Sequence, residues 1–193
     1  MDDEARAKME ITEVIYRYCR AVDRMDRGLA STLFHEDATA DYGPTYTGPA
    51  QGLIDNLWKN HSKLLGHSHQ VTNILIEVDG DRAGSESYAF GTLWDATSDG
   101  ALVVLTAYGR YLDRWSRRHG VWAIDHRRFV YDLVYPATPS VAPEAVDVPL
   151  ARLALRRNAR DTAARRDDSD PSYQVLGSHS IHRSPGRGID GYG

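Results

Sequence analysis

Cysteine is nearly missing from this chain: Cys19 stands alone among 193 residues. A single thiol excludes an internal disulfide, removes every multi-cysteine zinc site and fits a reducing cytosol. Long apolar runs are missing too, and nothing approaches the ~20 consecutive apolar residues that a membrane helix needs. The first residues, Met1-Asp2-Asp3-Glu4, are acidic, whereas a secretory signal starts basic and continues apolar. Positive charge is also scarce. Lys and Arg total 23 against 27 Asp and Glu, a net charge of −4. Residues 151–193 hold eight Arg and five Asp, so residues 1–150 carry −7. An acidic body is a poor nucleic-acid binder, because phosphate contacts need clustered Lys and Arg, and the basic tail reads as a solvated arm.

What remains suits one compact domain with appendages: 21.6 kDa and 41% hydrophobic. Residues 5–25 predict an amphipathic helix, with Ile11, Val14, Ile15, Tyr18 and Val22 on one face. A short helix over 29–34, a strand pair at 38–42 and 45–47, and a helix from Pro49 to about Leu65 follow. Residues 69–78, 82–95, 101–115 and 121–134 then read as four long strands joined by hairpins at Asp79-Gly80, Ser98-Asp99-Gly100 and Arg118-His119-Gly120. Helices first and an antiparallel meander after them give an α+β fold, a half-closed cone of curved sheet with helices over one face. Pro136, Pro139, Pro143 and Pro149 exclude a sheet beyond Val134. The expected division is a cone domain over 1–135, a Pro-rich and Arg-rich extension over 136–166 that packs as a lid or subunit contact, and a disordered tail over 167–193. Gly186-Arg187-Gly188-Ile189-Asp190-Gly191 matches a dinucleotide fingerprint only as a string, since no helix can follow it.

Several residues could carry chemistry. Tyr18 and Asp23 lie five residues apart on the first helix, about 140° around it, so both reach one cavity if the helix end caps it. His69, with His67 on the same face of an extended segment, is the side chain best suited to proton transfer near neutral pH. A buried carboxylate such as Asp23 can orient an imidazole and stabilise its charged form. The His67-x-His69 pair could also begin a metal site with His126 or Asp125, but isolated ligand pairs arise often by accident, and no metal is expected. In Trp122-Ala123-Ile124-Asp125-His126-Arg127-Arg128, alternation sends one of the two arginines outward and the other toward the concave face.

Residues 5–134 resemble the SnoaL-like branch of the nuclear transport factor 2-like superfamily. The resemblance rests on the stretch Ile15-Tyr16-Arg17-Tyr18-Cys19-Arg20-Ala21-Val22-Asp23, on Leu33-Phe34-His35-Glu36-Asp37-Ala38 and on Tyr46-Thr47-Gly48-Pro49. His67-Ser68-His69-Gln70-Val71-Thr72-Asn73, Gly109-Arg110-Tyr111 and Gly120-Val121-Trp122 continue it. The pattern is similar to lindane dehydrochlorinase, scytalone dehydratase and bile-acid dehydratase. The resemblance implies an Asp–His dyad inside the cone, Asp23 with His69, and a functional Tyr18. It also implies a functional Arg127, five residues after the last-strand Trp. No counterpart is found for the middle-strand carboxylate of the bile-acid enzyme. The implied chemistry is cofactor-free β-elimination, with Arg127 offering positive charge to the leaving group. Tyr88, Phe90, Trp94 and Tyr108 are the candidates for lining a pocket that takes a small apolar cyclic substrate. Cofactor-free isomerisation or cyclisation, and non-catalytic ligand binding, are the competing readings. Related dehydratases form trimers, and Thr72, Ile74, Ile76 and Val78 read as an exposed apolar stripe. A homotrimer is therefore expected, with a dimer second, and no nucleic-acid or membrane partner.

Overall fold

A computed structural model describes the backbone of residues 2–98 and 100–140, and side chains as far as Val134. The order is α1 (Asp3–Asp23), α2 (Arg27–Thr32), β1 (Phe34–Asp41), a 3-10 turn at Gly43–Thr45, β2 (Thr47–Pro49), α3 (Ala50–His61), β3 (Gly66–Asp79), β4 (Arg82–Ala96), β5 (Leu102–Arg118) and β6 (Val121–Ser140). The six strands form one open, curved sheet in the order β2-β1-β6-β5-β4-β3. The helices pack against its concave face. This is the α+β half-closed cone. No helix among the described residues is long and apolar enough to cross a membrane.

α1 starts where the Asp2 carboxylate accepts from the Glu4 backbone N–H, a side-chain cap on an otherwise unpaired donor. Its buried stripe includes Ala7, Ile11, Ile15, Tyr18 and Val22, which pack on the sheet with Leu53, Ile54, Trp115 and Ile124. The end of α1 is held from two sides. Asp26 caps α2 through the Leu29 N–H at 2.9 Å. The Trp58 indole N–H donates to the Met25 carbonyl at 3.0 Å, joining α3 to the α1–α2 turn. Asp23 therefore sits at a fixed helix terminus.

Three expectations need correction. First, the short second helix ends at Thr32, because Phe34 begins β1 and pairs with Ile124. β1 runs parallel to β6. The strand pair β1–β2 is thereby stitched to the far edge of the meander.

Second, β6 continues past Pro136 and Pro139 to Ser140, with Val103 opposite Pro139 and Leu102 opposite Ser140. The prolines are tolerated because β1 pairs β6 only as far as Arg128, so the distal part of β6 is an edge strand. A register shift between Val104 and Thr106 also lies beside Pro136. The cone thus extends five residues beyond the expected boundary at 135. The rest of the expected lid, and the expected tail, lie outside the described residues.

Third, Ile74, Ile76 and Val78 are not an exposed stripe, since they pack against the core beneath α1. The cause is a bulge between Thr72 and Leu75, where Asn73 adopts φ +48. One extra residue reverses the parity of the strand, so Val71 and Ile74 both face inward while Thr72 and Leu75 are exposed.

Near the cone's middle, β5 needs a glycine. A Cβ at Gly109 would overlap the Val130 carbonyl oxygen and the edge of the Phe129 ring. The missing side chain lets Phe129 lie across β5 and reach the cavity.

Candidate active site

The cone encloses a cavity of about 480 Å³ between α1, α3 and the concave face of the sheet. α1 contributes Tyr18, and α3 contributes Leu53, Asn56, Leu57, Asn60 and His61. β3 supplies His69, and the chain after β1 supplies Tyr42. From the sheet come Ala89, Gly91 and Leu93 on β4, Leu105, Ala107 and Tyr111 on β5, and Phe129, Tyr131 and Val134 on β6. Among the described residues, no Lys, Arg, Asp or Glu lines it.

Asp23 and His69, from the end of α1 and the start of β3, meet at the wall. The His69 ring Nδ1 lies 2.7 Å from Asp23 Oδ1. The His69 backbone N–H reaches Oδ1 at 2.9 Å and Oδ2 at 3.1 Å. A carboxylate oxygen accepts, so Nδ1–H is the donor of this pair and Nε2 is the ring nitrogen left outside it. A Cβ on the cavity-lining Gly91 would stand 3.6 Å from Nε2, which places that nitrogen at the cavity side. Both side chains are 13% exposed, dry enough to strengthen the pair yet open to a ligand. His67 is spent elsewhere: its Nε2–H donates to the Val22 carbonyl at 2.9 Å, anchoring β3 to α1.

Tyr18 Oη lies 3.0 Å from Tyr42 Oη. Two hydroxyls that share one hydrogen bond leave one O–H to donate elsewhere. Burial raises the Tyr18 pKa, and raises those of Tyr42 and Tyr111 well above the usual phenol value. All three are therefore neutral donors near pH 7. Cys19 next to Tyr18 is no nucleophile, since burial pushes its thiol up to about 12.

Arg127 stands differently from expectation. It is the inward arginine, but its side chain has no exposure and does not line the cavity. Nε and Nη2 make a two-pronged pair with Asp113 at 2.8 and 2.7 Å. Its guanidinium carbon lies 4.1 Å from the ring centroids of both Tyr18 and Tyr111. Burial alone would lower its pKa, but the Asp113 carboxylate reverses this and keeps it charged. The guanidinium thus packs against two cavity-lining rings and does not itself line the cavity.

The four expected lining aromatics lie on the wrong face. Ala89, Gly91 and Leu93 face the cavity, so their neighbours Tyr88, Phe90 and Trp94 face outward. Tyr108 pairs across from Phe90 and meets it edge to face on the outer surface. The physical reason is that a cavity is the space side chains leave open, so its β4–β5 wall carries Ala89, Gly91 and Ala107. The aromatic lining comes instead from Tyr18, Tyr42, Tyr111, Phe129 and Tyr131.

His61 was not singled out by sequence reasoning. A signal for it exists: it continues the buried α3 stripe Ala50, Leu53, Ile54 and Leu57 by one turn. His126 donates to or accepts from Thr39 at 2.7 Å and lies with Asp125 in a separate open groove of about 770 Å³. Arg118 spans Asp37 and Asp125 there at 2.8 and 2.5 Å, so the groove is largely charge-compensated. Neither His126 nor Asp125 joins the His67–His69 pair. Among the described residues no group of three or more His, Cys, Asp or Glu is arranged to hold a metal.

A family model described as a SnoaL-like domain matches residues 3–128. The chain belongs to the SnoaL-like family. This is a branch of the nuclear transport factor 2-like superfamily. Similar solved structures include a candidate scytalone dehydratase from Novosphingobium aromaticivorans, with TM-score 0.60 and 21% identity, covering 72% of this chain and 97% of that one. A hexachlorocyclohexane dehydrochlorinase from Novosphingobium barchaimii has TM-score 0.56 and 19% identity, covering 68% of this chain and 90% of that one. A protein of unknown function from Mycobacterium tuberculosis has TM-score 0.56 and 27% identity, covering 82% and 92%. At these identities the first two likenesses speak for the fold. No curated protein matches the chain in sequence.

Proposed function

We propose that the chain is a cofactor-free lyase that performs β-elimination, as a dehydratase or dehydrohalogenase, on a small uncharged substrate built around a ring. The observation that carries this reading is the Asp23–His69 pair, joined at 2.7 Å, in the wall of a cavity lined by aromatic and aliphatic side chains. Nε2 of His69 takes a proton from carbon. The C–H electrons form the new double bond, and the leaving group departs with its own electron pair. Asp23 stabilises the imidazolium that results. The Tyr18–Tyr42 pair donates to the leaving group or to an oxyanion developing on the substrate. The described lining holds no Lys, Arg, Asp or Glu, which favours an uncharged substrate, since an ionic one would be desolvated without a partner there. Arg127 acts as a positioning residue that holds Tyr18 and Tyr111.

The test uses two leaving groups. Hexachlorocyclohexane reports elimination through chloride release, and scytalone through loss of water. One of the two classes is expected to give an unsaturated product, unaffected by chelators and absent with His69→Ala. A product of unchanged mass would favour isomerisation, and saturable binding without product would favour a binding module. Either would overturn the lyase.

The same reading includes assembly as a homotrimer, with a dimer second. Its support is the outer sheet face, where Leu75, Tyr88, Tyr108 and Leu133 are exposed beside Phe90. Light scattering is expected to return three times the chain mass, and a monomer would overturn it.

A further inference from the structure

Two amides interrupt the apolar stripe that α3 turns toward the cavity. Asn56 and Asn60 stand one turn apart, and both line the cavity beside Leu53 and Leu57. Asn is a weak helix former and adds nothing to an apolar face, so helix formation does not account for them. Their hydrogen bonds run in one direction. The Asn56 side-chain N–H donates to the Thr45 carbonyl at 3.4 Å. A backbone carbonyl only accepts, so Asn56 turns its NH₂ toward Thr45 and its oxygen toward Asn60. The Asn60 side-chain N–H donates to that oxygen at 2.9 Å. The sense of the chain is thus set at Thr45, which also lines the cavity. Its far end is Asn60 Oδ1, which accepts no hydrogen bond from another of the described residues. Thr45 and Asn60 are exposed and Asn56 is half-buried, so the chain lies along the rim.

We propose that Asn60 is a specificity residue whose Oδ1 accepts a hydrogen bond from a hydroxyl of the substrate. Asn56 is the positioning residue that keeps this oxygen available. The assignment rests on the lyase reading given above and deepens it. His69 Nε2 is occupied with the proton on carbon, and the Tyr18–Tyr42 pair offers a donor. Asn60 Oδ1 is the acceptor left for a group that does not react. The substrate is therefore an uncharged ring compound with a hydroxyl besides the group it loses, and that hydroxyl stays in the product. A ring without a donor would displace water from Oδ1 and leave it unpaired, which is how such a site rejects the wrong compound.

Binding tests this without turnover. 2-Naphthol carries an O–H on an apolar ring pair, and 2-methoxynaphthalene carries the same oxygen with no donor. Both fluoresce, so both can be titrated directly. The parent is expected to bind 2-naphthol about 5–10-fold more tightly. Asn60→Leu keeps the bulk without the acceptor and should bind the two alike. Asn56→Leu frees the Asn60 amide to turn. The preference for 2-naphthol should then fall, and affinity for 2-acetonaphthone, which has only an acceptor, should rise. Ratios that Asn56→Leu leaves unmoved would remove its positioning role. No preference in the parent, or a preference that survives Asn60→Leu in protein that melts like the parent, would overturn the assignment. His69→Ala separates this from the lyase. If it abolishes the preference while Asn60→Leu does not, the hydroxyl sits on the dyad, so Asn60 fails and the lyase stands. If Asn60→Leu abolishes the preference but His69→Ala still releases chloride or water from substrate, Asn60 stands and the lyase fails. If the parent binds neither naphthalene, both fail.

Discussion

Replacing His69 with alanine is expected to lower turnover by about 10²–10⁴-fold, the usual cost of losing a general base, while the fold persists. Among the described residues the ring's hydrogen bond is to Asp23, and the His69 backbone N–H keeps the carboxylate engaged after truncation. Asp23→Asn should approach the same loss for a different reason. An amide can retain the acceptor for the His69 backbone N–H, so the local chain is held. If its NH₂ turns toward Nδ1, that nitrogen must accept, the ring proton moves to Nε2, and the lone pair that faces the cavity disappears. Even with the amide oxygen toward the ring, the negative charge that stabilises the imidazolium is gone. Steady-state rates on a turned-over substrate, with circular dichroism and melting curves for both variants, check this. Near-parental rates in folded variants would remove the dyad from the mechanism.

Arg127→Met is expected to cost about 3–5 kcal/mol of folding stability, because it strands a fully buried Asp113 carboxylate without its partner. For a domain of this size that lowers the melting temperature by on the order of 10 °C. Such a loss is a large share of the roughly 5–15 kcal/mol that holds a domain together. The double variant Arg127→Met with Asp113→Leu should recover most of the loss, since removing both charges also removes their desolvation cost. Activity should not recover with it. Tyr18 and Tyr111 would have lost the guanidinium that lies against both rings at 4.1 Å, and Tyr18 with Tyr42 forms the donor pair. Calorimetry and rates on the single and double variants separate the two effects. A double variant with full activity would show that Arg127 supports the fold alone.

The periodicities of the chain were enough for the main elements. The apolar stripe of α1, the turn residues of the meander and the helix-before-sheet order are local properties, written in side-chain spacing and backbone preference. Asp23, Tyr18 and His69 were legible only through their resemblance to a family pattern. Spacing alone could not say that the end of α1 meets the start of β3, forty-six residues later.

Four decisions belonged to the tertiary structure. The bulge at Asn73 chose which β3 residues face the core, because one unpaired residue inverts a period of two. Pairing chose where β6 could continue through Pro136 and Pro139, since a strand edge without a neighbour needs no donor. The cavity chose small residues for its β4–β5 wall and sent Tyr88, Phe90, Trp94 and Tyr108 to the outer face, against the expectation that aromatic strands line a pocket. Burial gave Arg127 a carboxylate partner and two aromatic faces, and left it out of the cavity lining. His61 belongs with these. As a sequence position it is one more residue on a helix stripe, and only the closure of α3 over β3 sets its ring against His69.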